Sequence, residues 1–170
     1  FAVNDSVETI EDGAFENCNN LTEVILPEGL QIIGAGAFDD CDNLKNVNIP
    51  SSVTFIGDKA FYECTALSQV QIPDSIVHLG QDVFTKTGYY NNPENWENNA
   101  FYVGDHLVSC KPSLSGAFQV RQGTKTIVNG AMMGAKNLTD LTLPDSLTTI
   151  GEKAFYGCTK LEEITLPENL

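Results

Sequence analysis

The strongest constraint on the fold is a repeat of 23 residues that runs through most of the 170-residue chain. One phenylalanine position recurs at this interval, at Phe15, Phe38, Phe61 and Phe84. The register returns downstream, where Ile127 and Ile150 are again 23 residues apart. A fixed period of this length is typical of a solenoid, because one unit cannot bury its apolar face and must stack on its neighbours.

The unit can be written IGxxAFxxCxxLxxVxIPxxVxxIG, and it is nearly intact over residues 33–57. In the LxxVxI part, Leu44, Val47 and Ile49 alternate with polar residues, which is the pattern of a strand with one buried face. Pro50 ends this strand because proline has no N–H with which to continue a ladder. The segment therefore predicts one short strand in each unit.

The rest of the unit is predicted to lead the chain back to the core. Val53 and Ile56 supply apolar side chains, and Gly57 allows a tight corner. The DKAFYEC stretch that follows fits one short helical turn with Phe61 facing inward. Stacking at about 4.8 Å then produces a parallel sheet on one face, with short or 3-10 helical turns on the opposite side. The sequence thus predicts a repeat fold of the α/β class.

Seven strand positions follow from this register. They are residues 1–3, 24–26, 47–49, 70–72, 118–120, 141–143 and 164–166. Both ends of the chain interrupt a unit, and neither has the polar cap that a solenoid end requires. We therefore expect residues 1–170 to be a single solenoid fragment, cut mid-repeat at both ends and continued by further repeats or domains of the same chain.

The slots IGxxAFxxC and LxxVxIP resemble the BspA-like leucine-rich repeat family, the treponemal type of surface repeat found in bacteria and some protozoa. The resemblance implies a right-handed leucine-rich-repeat solenoid in a secreted or cell-surface protein of a host-associated microbe, with adhesion as the expected role. It brings no catalytic residues to transfer. The chain departs from the pattern at Asn4 and Arg121 in place of proline, Thr87 and Ala135 in place of cysteine, and Met132 in place of phenylalanine.

An irregular insert, rich in aromatic residues and asparagine, is expected at about 85–117. The stretch from Leu79 to Ile127 is slightly longer than two regular units. Apolar residues flank Gly104 and Asp105 in the insert, and such a two-residue turn predicts a β-hairpin.

Two surfaces are candidates for binding. In the insert, Tyr89, Tyr90 and Trp96 can provide a ligand-binding surface, or the aromatic residues can instead anchor the insert on the coil edges. The other surface is the polar, mildly acidic outer face of the sheet, with Asn46, Asn48, Gln69, Gln71 and Gln119 as its predicted binding residues. An unoccupied, solvated sheet face would have the same pattern.

Charge and hydropathy restrict the kinds of partner. The 23 acidic residues exceed the 9 basic residues and give a formal net charge of −14, which disfavours nucleic acid. No apolar run is long enough to span a bilayer, and the N-terminus lacks the features of a signal peptide. We therefore expect no direct membrane insertion of this fragment, and we expect an extracellular or cell-surface location with the export signal elsewhere in the protein.

The cysteines, the histidines and the absence of catalytic motifs show what chemistry to expect. Cys18, Cys41, Cys64 and Cys158 share one slot, which predicts small buried free thiols, because neighbouring side chains that point the same way have poor disulfide geometry. The sequence contains only two histidines and no Cys-x-x-Cys pair, so no metal and no cofactor are expected. No catalytic motif occurs, and an enzyme is not expected.

Two functions remain open at this stage. The first is a cell-surface or secreted interaction module that binds a protein or glycan on host or neighbouring cells. The alternative is a non-binding structural spacer or stalk in a larger surface protein.

Overall fold

A computed structural model describes all residues 1–170, which form two compact units, 1–95 and 96–170. The chain folds as a β-solenoid of about 6 turns with repeats of roughly 23 residues, built from parallel strands and turns with very little helix. This confirms the predicted leucine-rich-repeat fold. No helix is long and apolar enough to cross a membrane.

The first unit contains two parallel ladders. One ladder consists of β1 (Thr9–Ile10), β3 (Ile32–Ile33), β5 (Phe55–Ile56) and β6 (His78–Leu79), in that order. The other ladder pairs β2 (Glu23–Ile25) with β4 (Asn46–Asn48). The helix α1 (Gly88–Asn91) and a 3-10 turn (Pro93–Asn95) complete the unit. Cα partners in both ladders are offset by one repeat, as in Ile33 opposite Ile56.

The second unit also contains two sheets. Its strands are β7 (Trp96–Glu97), β8 (Ala100–Val103), β9 (His106–Cys110), β10 (Ser115–Gln119), β11 (Thr126–Ile127), β12 (Asn137–Thr142) and β13 (Thr149–Ile150). One sheet has the order β13-β11-β9-β8-β7, and the other pairs β10 with β12 in parallel. The antiparallel pair β8–β9 turns at Gly104 and Asp105, so the predicted hairpin is confirmed.

Only some of the seven predicted strand positions form paired strands in the structure. The segments around 24–26, 47–49, 118–120 and 141–143 contribute to β2, β4, β10 and β12, whereas residues 1–3 contribute only a bridge between Ala2 and Ile25. Residues 70–72 and 164–166 form no paired strand. Alternating hydrophobicity determines which side chains are buried, and Val70 is indeed buried, but it does not by itself bring a neighbouring backbone into hydrogen-bonding distance.

Stacked phenylalanine rings form the core of the first unit. The rings of Phe15, Phe38, Phe61 and Phe84 are nearly parallel, with centroids of successive rings 5.1, 5.2 and 5.7 Å apart. The last three of these side chains are fully buried. Because the same slot of each coil supplies one ring, a change of register would break the whole stack.

The expected helical turn of the DKAFYEC stretch is instead a series of β-turns. Lys59 and Glu63 both have a φ of 57°, in the left-handed region, which prevents a continuous helix. The backbone N–H of Tyr62 donates to the Lys59 carbonyl at 3.0 Å, within the turn. The N–H of Phe61 donates to the Val83 carbonyl of the next coil at 2.9 Å. The turn segments therefore also bond one coil to the next.

The glycine before this stretch is required by close packing of the backbone. Gly57 does not have a positive φ, so the tight corner expected from the sequence is not the reason for glycine here. A Cβ atom at this position would lie 2.5 Å from the backbone nitrogen of Ala35 in the preceding coil. The equivalent distances at Gly34 and Gly80 are 2.6 and 2.3 Å, to backbone nitrogens of their own preceding coils. The repeat glycine thus allows adjacent coils to approach.

We predict that Gly57→Ala destabilises the protein by about 1–3 kcal/mol, because the added methyl group would overlap backbone that cannot rotate away. Gly29→Ala is the matched control, since a Cβ there would lie 3.7 Å from its nearest neighbour, the Asp5 carbonyl oxygen. Denaturant unfolding followed by circular dichroism compares the two variants. Equal stability of both variants would contradict the proposed role of the glycine.

Candidate functional site

A cleft of about 640 Å³ lies in the second unit, between the β7–β8 turn and strand β10. Four of its lining residues come from β7, β8 and the turn between them: Glu97, Asn98, Asn99 and Tyr102. The others come from β10 and its flanks: residues 114–115 and 117–122. The cleft therefore lies where the insert meets the regular coils.

Two asparagines build the insert wall of the cleft. Asn98 and Asn99 connect β7 to β8 with φ angles of 50° and 67°. A two-residue hairpin turn with both residues in the left-handed region favours asparagine, which tolerates this conformation better than most residues. The backbone thus explains these two asparagines, and their exposed amide groups remain available at the cleft wall.

Arg121 joins the insert to the end of β10. Its guanidinium donates to a carboxylate oxygen of Glu97 at 3.4 Å and to the carbonyl of Gly104, and it lies 4.3 Å from the centre of the Tyr102 ring. Its backbone N–H donates to the Tyr102 hydroxyl at 3.2 Å. Burial raises the pKa of Tyr102, so this hydroxyl stays protonated at neutral pH. These contacts position the one cationic side chain of the cleft lining.

The predicted aromatic residues lie outside the cleft lining. Tyr89 and Tyr90 are half-buried on α1, where the Thr87 hydroxyl caps the helix by accepting from the Tyr90 N–H at 3.0 Å. Trp96 is half-buried, with its ring centre 5.4 Å from that of Phe101 and 4.9 Å from the Lys111 ammonium group. A role of these three aromatic residues in ligand binding remains a prediction.

The predicted outer strip is oriented as expected. Its five predicted binding residues are all exposed: Asn46, Asn48, Gln69, Gln71 and Gln119. Asn46 and Asn48 on β4 lie beside Glu23 and Ile25 of β2. Gln119 is the member of this set that also lines the cleft. Outward orientation is confirmed, whereas a role in binding remains a prediction.

Two features of the surface are not predicted by the repeat. One is the set of cleft residues Glu97, Asn98, Asn99, Arg121 and Gln122, for which the only local signal is that asparagine tolerates the left-handed conformation of a tight turn. The other feature is an exposed row on the first unit formed by Ile32, Phe55 and His78. The Phe55 and His78 rings stack with centroids 4.4 Å apart, and Ile32 and Phe55 are each 38% exposed. Each precedes a buried residue of the repeat, so alternation along a strand could have predicted its exposure.

The environment of the repeated thiols favours a role in packing over one in catalysis. The thiols of Cys41 and Cys64 donate to the carbonyls of Phe15 and Phe38, at 3.1 and 3.0 Å. Burial raises the pKa of Cys41 to about 11 and that of Cys64 to about 12. A nucleophilic cysteine needs a lowered pKa, so these groups are poor nucleophiles. Cys158 is buried in the same way, whereas Cys18 is exposed.

The family model for the BspA type leucine rich repeat region matches residues 1–107 and 125–170, in 6 copies. The chain belongs to the BspA type leucine-rich repeat family. This confirms the resemblance inferred from the repeat slots, and it identifies the chain as a repeat module of a kind that typically binds other proteins and is typically non-enzymatic. No curated protein matches the chain in sequence.

Solved bacterial structures share the fold. The leucine rich repeat protein of T. pallidum has a TM-score of 0.51 at 20% identity over 95% of this chain and 77% of that one. A leucine rich cell surface protein of Faecalibacterium prausnitzii has a TM-score of 0.53 at 27% identity over 98% of this chain and 53% of that one. For the pneumococcal vaccine antigen PcpA the values are 0.51 and 27%, over 96% of this chain and 44% of that one. The chain thus spans about half the length of the last two relatives or less.

The buried thiols predict a loss of stability at alkaline pH. The pKa of Cys64 is about 12 in the folded chain and near 9 when unfolded, so folding favours the protonated form. This contribution is present below pH 9 and is lost as the pH rises from about 9 towards 12. Between pH 8 and pH 10, the free energy of unfolding should therefore fall by about 1 kcal/mol more in the wild type than in Cys64→Ala.

Urea unfolding at the two pH values under reducing conditions measures this difference. Cys18→Ala serves as the control, because that thiol is exposed. The same pH dependence in Cys64→Ala as in wild type would show that the Cys64 thiol is not protected by folding.

Proposed function

We propose that this chain is the binding part of a secreted or cell-surface bacterial protein and that it recognises a protein or glycan on host or neighbouring cells. Membership of the BspA type family supports an interaction module. The cell-surface description of the F. prausnitzii relative and the vaccine-antigen description of the pneumococcal relative support an exposed location.

The observation that carries this proposal is the cleft beside the insert. Regular coils are sufficient for a rigid spacer, whereas here the insert adds a wall with exposed amides beside β10. The Arg121–Glu97 pair and the Tyr102 hydroxyl provide fixed polar groups at one end. A concave site with a few positioned polar groups is the usual form of a ligand-binding site.

The net charge of −14 favours partners that are neutral or basic. A field of this sign accelerates encounters with basic surfaces and slows encounters with acidic ones. It is also a field that repels the phosphate backbone of nucleic acids.

The spacer remains the second candidate, and the packing of Trp96 supports it. Its ring lies against Phe101 and Lys111, which is the arrangement expected if the insert aromatics anchor the insert. In that case a different part of the protein would bind the partner, and this chain would set its distance from the cell.

Binding to arrayed host-matrix proteins and glycans tests the proposal. The cleft variant combines Gln119→Ala with Gln122→Ala, because both side chains are exposed at the cleft. We expect it to lose about tenfold in affinity, or about 1.4 kcal/mol. The control combines Asn20→Ala with Gln31→Ala, which removes exposed amides elsewhere and should leave affinity within twofold.

Two further variants locate the site if the cleft variant binds normally. One replaces the insert aromatics Tyr89, Tyr90 and Trp96 by alanine, and the other replaces the strip residues Asn46, Asn48, Gln69 and Gln71 by alanine. Melting temperatures of all variants are compared, so that lost binding is not confused with unfolding. If folded wild-type protein binds nothing on the arrays, the spacer becomes the better explanation.

A further inference from the structure

The two sheets of the second unit contain unequal numbers of strands. The insert adds β7 and β8 to one sheet, which continues past β9 to five strands. In the other sheet, β10 pairs only with β12. One edge of β10 therefore has no hydrogen-bonded strand, and residues of β10 line the cleft.

The backbone of β10 presents unused hydrogen-bonding groups along this edge. The N–H of Val120 donates to the Thr142 carbonyl at 3.0 Å, which directs it towards β12. Since N–H groups alternate between the two sides of a strand, those of Ala117 and Gln119 point to the open edge. This direction points both N–H groups away from β12, and both residues are exposed at the cleft.

We propose that the cleft binds an extended peptide segment of a partner protein, which pairs with the open edge of β10 as an added strand. This inference rests on the proposed function and narrows its partner to an extended polypeptide. A peptide strand offers donors and acceptors at alternate residues that match those of the edge, and strand addition is a common mode of peptide recognition. A saccharide has no such regular backbone pattern.

The walls of the cleft suit the side chains of such a strand. The exposed amides of Asn98 and Asn99 lie on the insert wall, and those of Gln119 and Gln122 lie on the other side. Arg121 offsets the charge of Glu97 at 3.4 Å, so the cleft itself carries little net charge. The overall charge of −14 then disfavours acidic segments, and we expect a neutral or basic peptide.

Selection from a displayed library of random 12-residue peptides tests the inference on the native chain. We expect enriched peptides to be neutral or basic and rich in β-branched residues. Hydrogen exchange followed by NMR should show that a bound peptide slows exchange of the Ala117 and Gln119 backbone amides at least tenfold. The Val120 amide, which is already bonded to Thr142, should change little.

N-methylation of the peptide provides the matched control, because it removes single backbone donors without altering the protein. Methylation at alternate residues that face β10 should weaken binding at least tenfold, whereas methylation at the intervening residues should have little effect. Ala117→Pro, which removes an edge N–H, should weaken binding similarly if circular dichroism shows that it folds. If this variant does not fold, the methylation series provides the same test.

Equal binding of both methylated sets would overturn the inference, and so would failure to enrich any peptide. A glycan or an intact matrix protein that binds on the arrays while no peptide is selected would overturn it and leave the proposed function standing. If no peptide, glycan or matrix protein binds, both proposals fail.

Discussion

The hydrogen bonding of each coil to the one before it is the constraint on which the rest of the structure depends. The N–H of Gly57 donates to the Ile33 carbonyl at 2.8 Å, and the N–H of Gly80 donates to the Ile56 carbonyl at the same distance. Backbones this close leave no room for a Cβ at the repeat glycine. In the regular coils of the first unit, side chains of one slot then lie over their equivalents in the next coil, as the stacked phenylalanines do.

The insert extends only one of the two sheets of the second unit. Its strands β7 and β8 continue the ladder that contains β9 and β11, because their backbone groups can pair antiparallel in the same sheet. No additional strand continues the sheet of β10 and β12. The insertion thus extends one sheet and leaves an open strand edge in the other. The cleft follows from this difference in the number of strands.

Periodicity in the sequence predicts the fold and most of the buried slots, and the turn signal at Gly104 and Asp105 predicts the hairpin. It could not predict why Gly57 is glycine, since that depends on the backbone of another coil. Nor could it predict the ladder of β1, β3, β5 and β6, because its two-residue strands are too short to show alternation. The cleft was missed for a similar reason: Glu97 and Arg121 are distant in sequence, and only the pairing of the insert strands brings them together.

Two departures from the repeat, at Thr87 and Arg121, are explained by the insert that they adjoin. Thr87 replaces cysteine, and its hydroxyl both donates to the Phe84 carbonyl at 2.7 Å and caps α1. Arg121 replaces proline, and its backbone N–H, which proline lacks, donates to the Tyr102 hydroxyl at 3.2 Å. Each substitution supplies a hydrogen-bonding group where the usual residue lacks it or has a weaker one. A degenerate repeat position beside an insertion is therefore evidence of an attachment point, and at Arg121 that point forms part of the cleft.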